Sequence, residues 1–229
     1  MKAIAVNGSP RKSFNTAILL QRALEGAESI GADTELINLY DLNFKGCTSC
    51  FLCKRKANTN IDGCAMHDDL TGVLQRISQC DVLLLGSPIY LANITGEMHS
   101  FLERLLFPNM SYNAGHSSVF KGKIHSGFIY TMNRPNDVSL MKIPEELKKH
   151  LNYEAVFNYY EYRLQILNGI SDFMLSTDTY QFDDYSKYEV SMFDEKHKLQ
   201  VKTEQFPIDC KNAFDMGARL TAKSQSNKG

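Results

Sequence analysis

The sequence predicts an α/β fold, a three-layer sandwich in which helices cover both faces of a five-stranded parallel sheet of order 2-1-3-4-5. Short apolar runs of the kind that form buried parallel strands alternate along the chain with helical patterns. Two of these runs end in the same tripeptide, Gly8-Ser9-Pro10 and Gly86-Ser87-Pro88. The chain of 229 residues is long enough for one such domain with a full core, so we expect residues 1–229 to form a single domain.

The composition narrows the range of partners and compartments. Apolar residues make up 43% and charged residues 22% of the chain, as is typical of a soluble globular protein. The net charge of -1 gives no electrostatic reason to expect nucleic acid or an anionic membrane as a partner. The longest apolar runs are too short to span a bilayer, and no signal-peptide pattern opens the chain. We therefore expect a cytoplasmic protein whose six cysteines are free, metal-bound or redox-active.

The first sixteen residues carry the strongest motif. An apolar strand from Lys2 to Asn7 is followed by a polar loop and by a helical pattern from about Ala17 to Ile30. A strand, a short polar loop and a helix N-terminus direct backbone N–H groups and the positive end of the helix dipole to one point. This arrangement predicts a phosphate site whose side chains are Ser9, Arg11, Ser13, Asn15 and Thr16. The alternative is an ordinary turn in which Ser13 or Asn15 caps the helix.

The remaining elements follow from periodicity and from turn residues. A cysteine-rich loop is predicted at residues 46–65, and an extension follows the fifth strand after about residue 183. The predicted strands are 34–39, 81–86, 123–131 and 173–182, and the predicted helices are 68–79, 95–107, 144–167 and 209–222.

The two Gly-Ser-Pro loops are predicted to face one cleft. Strands one and three are neighbours in a sheet of order 2-1-3-4-5, and such sheets bind ligands where the direction of winding reverses. The loop after strand four lies at the same edge of the sheet and brings Thr131 and Asn133 to the cleft. This repeated placement favours a ligand site over an ordinary turn.

These motifs resemble the flavodoxin-like NAD(P)H-dependent FMN reductases, and within them the iron-sulfur flavoproteins. The resemblance rests on Asn7-Gly8-Ser9-Pro10-Arg11 with Asn15-Thr16, on Gly86-Ser87-Pro88-Ile89-Tyr90 with Thr95-Gly96 and Phe101, and on Gly46-Cys47-x-x-Cys50-x-x-Cys53, and it covers about the first 110 residues well. It implies that the first loop holds the FMN phosphate and that the second lies along the isoalloxazine ring, with Tyr90 near its face. The residues implied in the second loop are Pro88, Ile89, Tyr90, Leu91, Asn93 and Ile94.

The cysteine segment leaves three interpretations open. Cys47, Cys50 and Cys53 recur at every third position, and Cys64 follows after ten intervening residues. Four thiolates from one compact segment suit a [4Fe-4S] cluster, and a zinc site of four cysteines is an alternative. The third interpretation is a set of metal-free thiols, which we favour slightly because cluster-bearing members of the family have a shorter gap before the last cysteine. Cys80 and Cys210 are predicted to be small buried apolar residues.

The resemblance implies an FMN-dependent oxidoreductase that takes electrons from NADH or NADPH. The acceptor would be a quinone-like or other small molecule, a protein, or an internal iron-sulfur cluster, and the flavin would carry the chemistry without a catalytic side chain. The alternatives are a non-enzymatic electron carrier of flavodoxin type and a thiol-based redox or metal sensor. Apolar and aromatic residues after Phe107 exceed what a single five-stranded domain needs, so we also expect a homodimer or homotetramer.

Overall fold

The sheet has the predicted topology. The computed structural model describes residues 1–55, 63–115, 118–135, 137, 139, 141 and 143–226, so residues 56–62 in the middle of the predicted cysteine-rich loop lie outside it. Its described strands form one parallel sheet in the order β2-β1-β3-β4-β5, which confirms the flavodoxin-like fold. The strands are β1 (Lys2–Asn7), β2 (Asp33–Asn38), β3 (Val82–Pro88), β4 (Ile124–Thr131) and β5 (Asn168–Ser176).

Helices cover both faces of this sheet. The described helices are α1 (Asn15–Ser29), α2 (Leu70–Ile77), α3 (Gly96–Asn109), α4 (Glu145–Lys148), α5 (Tyr153–Leu164), α6 (Glu195–Gln200) and α7 (Phe206–Ser226). Successive strand residues point to opposite faces, so Ala3 and Ala5 pack with α1 and α7 on one side. Ile4 and Val6 pack with α2, α3 and α5 on the other side. None of the helices in the described residues is long and apolar enough to cross a bilayer.

The helix predicted at 144–167 and the strand predicted at 173–182 were wrong in their boundaries. The helix predicted at 144–167 is divided into α4 and α5, because the side chain of Asn152 accepts a hydrogen bond from the Ala155 amide at 3.0 Å and starts a new helix. The strand predicted at 173–182 runs instead from Asn168 to Ser176. Gly169 begins the pairing so close to β4 that a Cβ there would lie 1.9 Å from the Ile124 carbonyl oxygen. Residues 177–182 are therefore a loop at the carboxyl edge of the sheet.

The last helix belongs to the core layer. Helix α7 is longer than the predicted 209–222, and it buries Ala213, Met216 and Leu220 against the face of the sheet that α1 covers. The two helices approach each other at glycines. A Cβ on Gly217 would lie 1.8 Å from the Ala23 carbonyl oxygen, and a Cβ on Gly26 would lie 2.0 Å from the Phe214 carbonyl oxygen. The residues beyond about 183 thus supply one of the sheet-covering helices.

The close approach of α1 and α7 predicts a large effect for Gly217→Ala. The added methyl group meets backbone atoms that cannot move alone, so we expect a loss of about 2 to 3 kcal/mol in the free energy of unfolding, measured by urea denaturation. The matched control is Gly72→Ala in α2, where the nearest atom is the flexible end of Arg76 at 3.7 Å. The control should gain about 0.5 to 1 kcal/mol, because alanine is the better helix former. Equal stability of the two variants would contradict the close helix contact.

Candidate functional site

Direct hydrogen bonds join the two Gly-Ser-Pro loops. The Gly8 amide donates to the Gly86 carbonyl at 2.8 Å, so the loops that leave β1 and β3 touch through their backbones. The Thr95 hydroxyl donates to the Gly8 carbonyl at 2.7 Å, and the Thr95 amide donates to the Ser87 hydroxyl at 3.0 Å. A Cβ on Gly8 would come within 2.8 Å of the Met98 side chain. A Cβ on Gly86 would come within 2.7 Å of Leu20 in α1. The first residue of each tripeptide must therefore be small for the helix that packs against it to approach.

A cleft of about 360 Å³ lies between these loops and the loop after β4. Most of the predicted site residues line it, namely Ser9, Arg11, Asn15, Thr16, Pro88, Ile89, Tyr90, Leu91, Thr131 and Asn133. Three predicted residues are absent from this lining: Ser13 is exposed, Ile94 is buried, and the Asn93 side chain accepts hydrogen bonds from the Ile94 amide and the Tyr160 hydroxyl. The structure thus brings the loops predicted to bind a ligand to one edge of the sheet.

The N-terminus of α1 opens at one end of the cleft. Its N-cap residue is Phe14, and no side chain caps the helix, so the alternative in which Ser13 or Asn15 is the cap is not observed. Helix α3, by contrast, is capped by the Thr95 hydroxyl, which accepts from the Met98 amide. The first amides of a helix have no partner within the helix, and an uncapped N-terminus beside Arg11 suits an anion. The buried Thr16 and Thr131 hydroxyls share a hydrogen bond of 2.7 Å behind this point.

The other end of the cleft is a strained turn. Leu91 and Ala92 both have positive φ angles, 50° and 63°, in a turn closed by two hydrogen bonds between the backbones of Tyr90 and Asn93. Neither residue is glycine, so each costs about 1 to 2 kcal/mol in this conformation. The turn leaves the Tyr90 side chain half exposed and the Leu91 side chain fully exposed. Such strain collects at ligand sites, and here it presents an apolar and an aromatic side chain at the rim of the cleft.

The sequence analysis missed four residues that line the cleft: Phe14, Met132, Thr179 and Gln181. Thr179 and Gln181 were missed because the fifth strand was extended to residue 182, which placed them inside the sheet. A predicted strand that ended at Ser176 would have placed residues 177–182 in a further loop at the carboxyl edge of the sheet. In the structure this loop contacts the first one, because Arg11 donates to the Gln181 carbonyl at 2.6 Å and Asn15 donates to the Tyr180 carbonyl at 2.9 Å.

The four clustered cysteines line one small cavity. Cys47, Cys50, Cys53 and Cys64 face it together with Phe51, Phe107 and Arg104. Burial raises the pKa of Cys53 above its ordinary value. Within the described residues, no three histidine, cysteine or acidic side chains are grouped as ligands of a single metal ion. In a [4Fe-4S] cluster each iron takes a different cysteine, and the four cysteines that line this cavity are the number of ligands that such a cluster needs.

Arg104 is the buried cation of this region. Its guanidinium is almost fully inaccessible and donates to the Cys64 sulfur at 2.9 Å and to the Lys45 carbonyl at 2.8 Å. It also forms a two-pronged pair with the Asp68 carboxylate, with distances of 2.8 and 3.1 Å. Hydrogen bonds from Arg104 hold the pKa of Asp68 below its usual value. An N–H donor on a cysteine sulfur stabilises the anionic form that a metal requires.

The other two cysteines lie apart from this group. Cys80 is buried in the core, where burial raises the pKa of its thiol to about 12. Cys210 is partly buried and packs beside the core layer formed by α1 and α7. Neither lines the cavity of the clustered cysteines. The prediction of a buried residue is confirmed for Cys80, but it was wrong for Cys210, which is only partly buried and has Arg22, Asp209 and Glu25 near its thiol.

Comparison with known families gives a match over the region that supplies most of the cleft. The sequence model of the family described as NADPH-dependent FMN reductase matches residues 1–136, more than half of the chain. An iron-sulfur flavoprotein of Archaeoglobus fulgidus is 29% identical over 141 residues, which cover 61% of this chain and 59% of that protein. One of Methanocaldococcus jannaschii is 32% identical over 104 residues, which cover 45% of this chain and 51% of that protein. The chain therefore spans between half and three fifths of these relatives.

Solved structures share the fold. An azoreductase from Bacillus anthracis superposes with a TM-score of 0.64 at 11% identity, covering 96% of this chain and 99% of that one. An NAD(P)H:quinone oxidoreductase from Methanothermobacter marburgensis gives a TM-score of 0.64 at 13% identity, covering 96% of each chain. At these identities the likeness concerns the fold alone.

The partly buried ion pair of Arg104 and Asp68 predicts a specific response to acid. Because the folded protein lowers the pKa of Asp68, the stability from this pair is full above about pH 4, the unfolded pKa, and is lost as the pH falls through the lower folded pKa. Asp68→Asn should lose about 3 to 5 kcal/mol at pH 7 and depend less on pH between 5 and 3 than the wild type, in urea unfolding of the cofactor-free protein.

The matched control for this prediction is Asp69→Asn. Asp69 is the neighbouring acid, and it accepts a hydrogen bond from the Asn43 amide at the surface. This variant keeps the partly buried ion pair, so its pH dependence should follow that of the wild type. Identical pH profiles of Asp68→Asn and the wild type would show that the pair contributes nothing to acid sensitivity.

Proposed function

This chain belongs to the family of NADPH-dependent FMN reductases, and we propose that it is an oxidoreductase that binds FMN in the cleft and takes electrons from NADH or NADPH. The observation that carries the proposal is the cleft itself, in which an uncapped helix N-terminus beside an arginine faces one end and a strained turn with Tyr90 forms the other. An anionic phosphate fits the first end, and a flat ring system fits the second.

The phosphate is assigned to the first loop. Ser9, Asn15 and Thr16 would donate hydrogen bonds beside the first amides of α1, and Arg11 would supply the positive charge. Within the described residues Arg11 has no carboxylate partner and donates to a carbonyl, whereas the adjacent Lys12 pairs with Asp41. The charge of Arg11 is therefore available to an anion. Ser13 lies exposed at the rim of the same loop, and we assign its hydroxyl to the phosphate as well.

The ring is assigned to the second and third loops. Pro88, Ile89 and Leu91 would border it, Tyr90 would lie near its face, and Thr131 and Asn133 would close the opposite wall. Asn93 and Ile94 are assigned a supporting part, because they fix the turn rather than line the cleft. When bound, FMN would supply the redox chemistry, that is, hydride transfer from the nicotinamide and onward transfer of electrons. The protein would bind the flavin and orient it. The rim of the cleft at the half-exposed Tyr90 would stay open to the electron donor and acceptor.

A small oxidant is the proposed acceptor. The proteins of similar fold include an azoreductase and a quinone oxidoreductase, and by their names their acceptors are small molecules. A carrier of flavodoxin type would share the fold and FMN without turnover, and a thiol sensor would need no flavin. Steady-state oxidation of NADH or NADPH with a quinone separates these functions. The oxidoreductase turns over, the carrier gives no turnover with bound FMN, and the sensor purifies without FMN.

A [4Fe-4S] cluster on Cys47, Cys50, Cys53 and Cys64 is part of the proposal. The four sulfurs line one cavity, Arg104 donates to one of them, and the curated relatives of this chain include proteins named iron-sulfur flavoprotein. These observations now outweigh the longer gap before Cys64, which had favoured metal-free thiols. A bound cluster would supply one-electron steps, so it would be an internal acceptor or relay for electrons from the flavin.

We also propose that the protein is a homodimer or homotetramer in the cytoplasm. Phe51, Tyr112 and Tyr159 lie half or more exposed around an open groove of about 380 Å³ beside the cysteine segment, and aromatic side chains of this kind are enriched at subunit interfaces. All six cysteines are unpaired, as expected in a reducing compartment. Light scattering of the FMN-loaded protein at micromolar concentration measures the number of subunits, and a monomer would contradict the proposal.

The phosphate assignment predicts that Arg11→Gln discriminates between flavins. The variant should bind FMN about 10- to 100-fold more weakly, because a charge-assisted hydrogen bond is lost, while riboflavin affinity changes by less than about threefold. Fluorescence titration of the flavin-free protein measures both constants. Lys12→Gln is the matched control, since it removes the neighbouring charge, and it should leave both affinities within about threefold. Equal weakening of FMN and riboflavin by Arg11→Gln would place the phosphate elsewhere.

The cluster assignment predicts the iron content. Protein purified without exposure to air should contain about four irons per chain and one FMN. Cys50→Ser should lose the iron and the broad brown absorption while it keeps FMN, because the two cofactors depend on different segments. Cys210→Ser, which lies outside the cavity, should retain both. Wild-type protein with one FMN and almost no iron would support metal-free thiols instead.

A further inference from the structure

A chain of polar side chains runs between the turn at the cleft and the cysteine segment. The Tyr160 hydroxyl donates to the Asn93 side-chain oxygen at 3.2 Å, and it lies 3.0 Å from Nδ1 of His99. The other ring nitrogen of His99 is 3.7 Å from the Glu103 carboxylate, whose second oxygen accepts the Cys47 amide at 2.9 Å. The outer contacts, of Tyr160 with Asn93 and of Glu103 with Cys47, are hydrogen bonds, and the His99 ring lies between Tyr160 and Glu103. The two regions are therefore joined by a continuous line of contacts through α3 and α5.

The Asn93 end of the chain holds the strained turn. Leu91 and Ala92 adopt positive φ angles, and the turn persists because surrounding contacts outweigh that cost. The Asn93 side-chain oxygen accepts both the Ile94 amide at 2.8 Å and the Tyr160 hydroxyl. Tyr160 is buried, and burial raises the pKa of its hydroxyl to about 12, so the group stays neutral and able to donate. Tyr160 is therefore a side-chain support for the backbone that lines the cleft.

The Glu103 end fixes the start of the cysteine segment. Its carboxylate accepts the Cys47 amide and packs against Gly46, where a Cβ would lie 2.6 Å from the carboxylate oxygen. The same carboxylate borders the cavity that the four cysteines line. If the cysteine segment rearranges and the Cys47 backbone moves, the Glu103 carboxylate that is hydrogen-bonded to it would move as well. The contact between Glu103 and His99 would then change.

We propose that Tyr160 and His99 are positioning residues that couple the cysteine segment to the flavin-side turn, Tyr90–Asn93. Tyr160 holds the Asn93 side chain in place through its hydrogen bond. His99 contacts both Glu103 and the Tyr160 hydroxyl, so a shift of the Glu103 carboxylate changes the position of that hydroxyl. The conformation of the turn, and with it the affinity for FMN, then depends on the position of the backbone of the cysteine segment at Cys47. This inference rests on the proposed FMN site for its functional consequence, whereas the contact between Tyr160 and the turn stands without it.

The first test measures the turn in the flavin-free protein. In Tyr160→Phe, hydrogen exchange of the amides of Tyr90 and Asn93 should be about 3- to 10-fold faster, as expected when one supporting hydrogen bond is lost. Tyr159→Phe is the matched control. Tyr159 is the exposed neighbour, and its ring packs edge-on against Tyr160 at 5.3 Å. The control should exchange like the wild type, and unchanged exchange in Tyr160→Phe would overturn the proposal.

The second test measures the coupling through FMN binding. Glu103→Ala and Tyr160→Phe should each weaken FMN by about 2- to 10-fold, and the double variant should be no weaker than Tyr160→Phe alone, because the path is already broken. Multiplied effects in the double variant would show that Glu103 and Tyr160 act independently and would overturn the coupling. Wild-type protein that fails to bind FMN would contradict the proposed function instead, and the exchange experiment would still decide the role of Tyr160.

Discussion

The contact between the Gly8 amide and the Gly86 carbonyl is the constraint on which the site depends. It joins the ends of two adjacent central strands backbone to backbone, and the lack of a side chain at Gly8 leaves room for Met98, which would lie 2.8 Å from a Cβ there. Thr95 completes the junction by binding the Gly8 carbonyl and the Ser87 hydroxyl while it caps α3. One small region thus fixes two loops and the start of a helix. The distance between the uncapped N-terminus of α1 and the strained turn at Leu91 and Ala92 follows from this junction.

The two helical layers orient this junction. On one face of the sheet α1 packs against α7 through glycines, and this packing holds the uncapped N-terminus of α1 at the carboxyl edge of the strands. On the other face α3 and α5 pack against larger apolar residues and carry the polar side chains that lead from Asn93 to the cysteine segment. Helix α3 therefore contacts the cleft loops at its N-terminus, through Thr95, and the cysteine segment further along, through Glu103 and Arg104. The proposed electron transfer would run between these two regions.

The first half of the fold could be predicted from the sequence because each of its elements has a local sequence pattern. The strands from Lys2 and Val82 are apolar runs, and the repeated tripeptide marks the edge where both end. The fifth strand was misplaced because the apolar and aromatic residues of 173–182 resemble a strand, while the true start at Asn168 depends on a glycine pressed against β4. That error concealed Thr179 and Gln181. The contacts of Arg104 with Cys64 and Asp68 join residues 36 to 40 positions apart, which no local pattern reveals.

A crystal structure of the protein with FMN tests the central claim most directly. The account predicts one FMN per chain, with its phosphate within hydrogen-bond distance of the first amides of α1 and of Ser9 and Thr16. It also predicts that the isoalloxazine ring lies against the turn from Tyr90 to Asn93 and that the contact between Gly8 and Gly86 is unchanged. A phosphate bound outside the first loop, or a ring that does not touch this turn, would contradict it.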